Sequence, residues 1–269
     1  MQLRQWSALT ASHLRMTLRD RILHAIFGVA VVMLLLVPSL SSFSMRQVQE
    51  LAITLSLSSI SLSLLIVALL MGSSSIWRDI ERRYTASILT LPISRGNYLL
   101  AKFASISISL LVCGMILGVA ASVVISLAAA SYPSDLPIAW ETLIIAIGSD
   151  VLKYIVLTAV AILLSAVSTS IFLPFFGTFA IYLAGSASQE VYEYVSAEFG
   201  HEIHPLSVVI IKGVYYLLPN FSAFNFKVHA VYALPISAAE LCFLYIYFLI
   251  YTCILLGLAV WAFNRRELP

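Results

Sequence analysis

The chain has 269 residues, 61% of them hydrophobic and 10% charged, with a mean hydropathy of +0.99. An ordinary soluble domain carries charge on roughly a quarter of its residues, so this composition excludes a water-solvated globule and makes lipid the solvent. The net charge of +2 is no basis for binding nucleic acid, because the basic residues stand as membrane-side anchors rather than on one basic face.

Residues 2–19 have the spacing of an amphipathic helix. Leu3, Trp6, Thr10, Leu14 and Leu18 fall on one face, and Arg4, Ala8, Ala11, Arg15 and Arg19 on another. Residues 1–20 therefore read as an interfacial helix at the headgroup boundary, anchored by Trp6, with arginines toward anionic lipid or a protein beneath. The apolar run 22–45 follows and predicts a first span at 22–42. Four arginines precede it and it exceeds the roughly 7–15 residues of a cleavable signal core, so it is expected to stay in the mature chain.

A second span is predicted at 52–76. Its serines at 56, 58, 59, 61 and 63 are suited to hydrogen bonding across helices. Residues 77–96 then break the apolar pattern. Between Arg78 and Leu91 there is no Pro or Gly, and Ile80, Tyr84, Ile88 and Leu91 recur at helical spacing. That predicts a short amphipathic helix against the membrane, with Asp79, Arg82 and Arg83 toward the cytosol and Pro92 stopping it. Arg95 and Lys102 are placed to snorkel to the same boundary.

The third span, 97–130, carries Gly114 and Gly118 as G-x-x-x-G, a pattern that lets helices approach closely, here most simply within one protomer. The apolar run 154–189 is too long for one helix, which predicts a hairpin of spans at 141–166 and 170–188. Asp150 and Lys153 sit three apart on the first of these as an intramembrane polar pair. Counted from a cytoplasmic end near Ser168, they lie about 27 Å and about 22 Å along the axis, near the outer boundary, where snorkelling is cheap. They are expected to be structural rather than a substrate or proton relay.

Residues 189–235 form the outer segment. Pro205, Lys212, Gly213 and Pro219 argue against a full span at 205–220, leaving short outer helices at 190–203 and 205–217, the second re-entrant or interfacial. The motif HEIH at 201–204 lacks the H-E-x-x-H spacing of a zinc helix, so His201 and His204 are expected to lie in a solvated acidic loop, not to bind metal. Tyr192, Tyr194, Tyr215 and Tyr216 fit an interfacial aromatic belt. The last span is predicted at 237–263, with Glu240 near its outer start. Cys113, Cys242 and Cys253 all fall in spans without CxxC spacing and read as small packing residues.

Orientation follows from charge. Eleven of the fifteen Lys and Arg residues cluster at three places: Arg4, Arg15, Arg19, Arg21; Arg78, Arg82, Arg83, Arg95, Lys102; and Arg265, Arg266. Six spans put all three on one side, which the positive-inside rule makes the cytoplasm. The opposite side is acidic, with Glu50, Asp135, Glu141, Glu190, Glu193, Glu198 and Glu202 against Arg46, Lys212 and Lys227. The fold class is thus an all-α membrane protein of six transmembrane helices in one domain, both termini cytoplasmic.

The run IERRYTASILTLPISRGNYLLAKF at 80–103 resembles the cytoplasmic signature of ABC type 2 transporter permeases: an E-x-R-T-like run, a leucine-rich turn, P-x-S-R and a lysine before the third span. The matching positions are Glu81, Arg82, Arg83, Thr85, Ile88, Leu89, Pro92, Ser94, Arg95 and Lys102. Ala101 and Ala104 stand where that family often has glycine. LLPNFSAFNF at 217–226 is similar to the segment that dips back between the family's fifth and sixth spans. The resemblance implies a half-transporter that pairs with a second protomer, as a homodimer. It also implies two separate cytoplasmic ATPase subunits in a bacterial inner membrane. Asp79, Glu81, Arg82, Arg83, Thr85, Pro92, Arg95 and Lys102 are then the expected ATPase-coupling residues.

No G-x-x-x-x-G-K-[ST] occurs in the chain, so no cofactor is expected here, with ATP and magnesium on the partner. A secondary transporter or channel is the alternative; it would call for repeats or midplane polar residues, of which the spans show almost none. An intramembrane enzyme would need G-x-S-x-G or H-E-x-x-H, and neither appears.

Overall fold

With no water to satisfy its backbone, a chain this apolar crosses a bilayer as helices or as a closed barrel, and this one forms helices. The computed structural model describes residues 2–44, 47–81, 94–131, 137–196 and 205–266, with no strand among them. In chain order the helices are α1 (Gln2–Leu18), α2 (Arg21–Ser41), α3 (Val48–Glu81), α4 (Arg95–Ser131), α5 (Trp140–Val167), α6 (Phe172–Ser196), α7 (Pro205–Leu217), α8 (Lys227–Val231) and α9 (Ala238–Arg265). A 3-10 turn at Ser222–Phe224 lies between α7 and α8. Helices α2, α3, α4, α5 and α9 are long and apolar enough to cross a membrane.

The helix ends report which elements share a face. Asp20 separates α1 from α2 in an extended conformation, and its carboxylate accepts from the Ile22 amide at 3.0 Å, capping α2. The same carboxylate takes Arg78, at the end of α3, at 3.1 Å. Ser105 near the start of α4 donates to the Thr10 carbonyl of α1 at 3.0 Å. Arg95 donates to the Arg266 carbonyl at 2.7 Å, and Arg266 donates to the Ala166 carbonyl at 3.0 Å. Thus the starts of α2 and α4 and the ends of α3, α5 and α9 meet at one end of the bundle, with α1 beside them. At that end Arg265 also lies over the Trp261 ring at 4.3 Å.

Connectivity then fixes the remaining crossing. α5 ends at this face and α9 begins at the opposite one, so the chain must traverse the bundle between them. α6 does so, with 25 residues spanning about 37 Å. It is longer than the span expected at 170–188. The outer helix expected at 190–203 is in its first part a continuation of α6 to Ser196, helped by a Gln189–Glu193 side-chain bond one turn apart.

α3 is the central helix, packed on α2, α4 and α5. Its serines meet the expectation of bonding across helices only in part. Ser59, Ser63 and Ser73 donate to carbonyls four residues back in their own helix, and Ser58 is exposed. Ser61 crosses to the Tyr154 hydroxyl at 2.7 Å, and Ser165 of α5 crosses to the Ser73 carbonyl at 3.0 Å. Lipid makes the local carbonyl the nearest acceptor, so an isolated hydroxyl satisfies itself before it reaches a neighbour.

Small residues set the helix spacing. A Cβ on Gly72 would stand 2.7 Å from the Ala161 Cβ of α5, and one on Gly114 would stand 2.4 Å from Val151. Both Gly114 and Gly118 therefore face α5 of the same protomer. Gly72→Ala is expected to cost about 1–3 kcal/mol through overpacking. Gly28→Ala, where nothing lies within 4 Å, should stay within about 0.5 kcal/mol. Apparent melting temperatures of the two detergent-solubilised variants against wild type check this, and equal losses would contradict the α3–α5 contact.

Candidate functional site: a buried ionic node and a re-entrant elbow

Four of the residues expected to couple to a partner are described: Asp79, Glu81, Arg95 and Lys102. Arg82, Arg83, Thr85 and Pro92 lie outside the described residues. Glu81 is exposed, as a docking residue requires. Asp79 is not. Its side chain, expected to face the cytosol, is buried, and its Oδ2 accepts from both the Tyr98 hydroxyl and the Lys102 ammonium. Lys102 accordingly does not snorkel. The apolar spacing that begins at Ile80 indicates a membrane-lying face, but α3 runs unbroken to Glu81 and keeps Asp79 in phase with Ser75 and Ile76, toward α4. Once buried, each charge needs the other. Arg95 is also held by protein, at the Arg266 carbonyl.

Tyr98 is fully buried at the centre of this node. Its ring meets His13 of α1 edge-on at 5.5 Å and stacks on Phe263 of α9 at 6.2 Å. α1 thus presents Thr10 and His13 to the bundle, with Leu14 half-buried and Leu18 exposed, while Arg15 and Arg19 face outward as expected. His13 has a buried Nε2 with no partner among the described residues. Burial first, then the Lys102 charge, pushes its pKa down to about 4, against the opposing pull of Asp79. Sequence reasoning missed Tyr98 and His13. The signals were there: Tyr98 lies one turn before Lys102, and His13 lies one turn after Thr10 on the inner face of α1.

The second polar site lies deeper. Lys153 pairs with Asp150, lies 4.7 Å over the Tyr154 ring, and both members are buried. The pair is therefore enclosed by protein and does not snorkel toward solvent. Part of that enclosure is the elbow after α7. The chain bends by 50° between Leu217 and Ser222, where Pro219 ends the helix. The Phe221 amide donates to the Gly185 carbonyl at 3.2 Å, and a Cβ on Gly185 would stand 2.3 Å from the Pro219 carbonyl oxygen. Gln189 accepts from Asn220 at 2.7 Å and from Tyr215 at 3.1 Å, and Ser222 donates to the Ser186 carbonyl at 2.6 Å. On the α9 side, the Tyr247 hydroxyl accepts from the Asn220 amide at 2.8 Å, and Tyr251 donates to the Leu217 carbonyl at 2.8 Å. Tyr247 and Tyr251 are about 14 Å and about 20 Å into α9, so the elbow is re-entrant. Phe221 and Phe224 are fully buried beneath it.

Tyr192 stacks on Tyr215 at 4.2 Å and Tyr216 meets it edge-on, a compact form of the expected aromatic belt. Among the described residues no group of three His, Cys, Asp or Glu is placed to hold a metal; His201 and His204 lie outside them. Cys113 is buried, whereas Cys242 and Cys253 face outward.

Two outcomes follow from the node. Asp79→Asn leaves a buried ammonium unpaired and should cost about 3–5 kcal/mol, most of it recovered in Asp79→Asn/Lys102→Met; melting temperatures at fixed scan rate distinguish these. Between pH about 6.5 and about 4 the unfolded chain protonates His13 while the folded one resists. The stability present above pH about 6.5 is therefore lost as pH falls through that window, on the order of 3 kcal/mol at its end. Wild type should lose more melting temperature between about pH 7 and about pH 5 than His13→Phe; parallel losses would remove His13 as the cause.

A family model described as ABC-2 family transporter protein matches residues 8–268. No curated protein sequence matches the chain. The match runs from the buried face of α1 through both polar sites to the end of α9, and the chain belongs to the ABC-2 transporter family.

Proposed function

We propose that the chain is the permease subunit of an ATP-driven exporter, worked by separate cytoplasmic ATPase subunits that dock on residues 77–96. The observation that carries this is the Asp79–Tyr98–Lys102 node. It ties the end of α3 to the start of α4 on either side of residues 82–93, so force applied there acts on two crossing helices together. Tyr98 extends the joint to α1 through His13 and to α9 through Phe263.

In this reading, ATP binding closes the ATPases, each pushes the segment of one protomer, and α3 and α4 tilt as a unit to open a path outward or laterally. Hydrolysis resets them. ATP and magnesium act on the partner, two protomers form a homodimer in the bacterial inner membrane, and both termini are cytoplasmic. Asp150–Lys153, the feature that a proton-coupled carrier would use, is closed on itself and enclosed, which favours a structural role.

The test is purification of the detergent-solubilised protein from its native membrane, with mass spectrometry and an ATPase assay on what accompanies it. An ATP-binding subunit should co-purify and be lost when residues 82–92, which leave the Asp79 node in place, are scrambled. Glu81→Ala and Arg83→Ala should leave insertion and melting unchanged while lowering permease-stimulated hydrolysis several-fold. Stimulation equal to wild type would reject the docking assignment, and a homo-oligomer without ATPase activity would return the secondary-transporter reading.

A further inference from the structure

The re-entrant elbow leaves a cavity of about 820 Å³ between itself and α9, within the roughly 300–1,000 Å³ typical of small-molecule sites. Its walls carry the rings of Tyr215, Tyr216, Phe226, Phe243, Tyr247 and Tyr251. Phe243, Ile246 and Ile250 at its border are exposed, so it opens sideways toward lipid.

The polar groups in the wall sort by whether the protein already uses them. Tyr215, Tyr247 and Tyr251 spend their hydroxyls on the elbow, as does Asn220 its amide. His229 also lines the cavity, and its Nδ1 is buried without a hydrogen-bond partner among the described residues. That nitrogen is available to a water or to a ligand group entering the cavity. The charge is one-sided. Glu240 at the start of α9 lines the cavity and is exposed, and the described lining contains no lysine or arginine.

We infer that this cavity is a binding site for a hydrophobic organic cation. Aromatic faces attract cations through their ring quadrupoles, the more so where water is excluded, and Glu240 adds a full negative charge at the opening. The lateral opening suits a ligand that partitions into the bilayer. A phospholipid fits less well, because its phosphate would meet Glu240 with no lysine or arginine in the lining to hold it. The site lies on the permease alone, so the inference stands apart from the ATPase-docking proposal.

Charge and shape can be separated with an isosteric pair of probes, tetraphenylphosphonium and tetraphenylborate, measured by equilibrium dialysis against the full-length, detergent-solubilised protein. The cation should bind saturably and more tightly than the anion. Glu240→Gln should weaken it at least about fivefold, the lower end for a charge pair near a protein surface. Glu190→Gln should leave it unchanged, because Glu190 is an exposed acid on α6 that does not line the cavity. Equal or tighter binding of tetraphenylborate, an unaltered Glu240→Gln variant, or equal losses in both variants would overturn the assignment.

Discussion

Lipid supplies no hydrogen-bond partners, and a polar group carried into it must find one in the protein. The consequences run through this chain. Hydroxyls on α3 and α4 turn back to their own carbonyls, as Ser63 does to Ser59 and Ser109 to Ser105. Charges deep in the protein come in partnered form, Asp79 with Lys102 and Asp150 with Lys153. Where the backbone leaves helical form inside the bundle, at 218–222, its amides go to the Val214 and Gly185 carbonyls, the Tyr247 hydroxyl and the Asn220 side chain. An irregular segment at that depth survives because protein surrounds it.

The same constraint makes the end of the bundle that carries Asp79 and Lys102 mechanically tight. An exposed ion pair between α3 and α4 would contribute little and could slip. A buried pair leaves an unpaired charge if it parts, so the helices on either side of residues 82–93 separate only at several kcal/mol. Stiffness there comes from the cost of the broken state, not from the strength of the intact one. His13 extends the argument to α1: as a neutral ring wedged against Tyr98 it adds packing without adding a second cation beside Lys102.

Hydropathy was enough to find α2, α3, α4, α5 and α9, because a stretch of about 20 apolar residues is a local property. The break at Pro219 and the intraprotomer use of Gly114 were legible for the same reason. What stayed hidden depends on which residue meets which. Helical spacing from Ile80 onward describes a membrane-lying helix, but nothing in residues 77–92 says that α4 returns against Asp79, and that return is what buries it. The depth of Asp150 along its helix was readable, whereas its enclosure depends on an elbow some 70 residues later. α6 carries the least apolar crossing, with Gln189 and Glu193 prolonging it, and its passage through the bundle is fixed by where α5 ends and α9 begins.

The two polar centres sit at opposite ends of a common scaffold. α3 contributes Asp79 to one and Ser61 to the other, and α5 links them, meeting Trp77 through Ser165 at the Asp79 end and holding Asp150 and Lys153 near the elbow. Between the two centres α3 and α5 pack closely at Gly72, where a Cβ would stand 2.7 Å from that of Ala161. The elbow is braced on α6 by Gln189 and Ser186 and on α9 by Tyr247 and Tyr251. Any shift that reaches α6 or α9 changes the walls of the aromatic cavity between them. The elbow and the aromatic cavity are thus held by the same helices that carry the two polar centres' neighbours, with no continuous polar pathway needed between them.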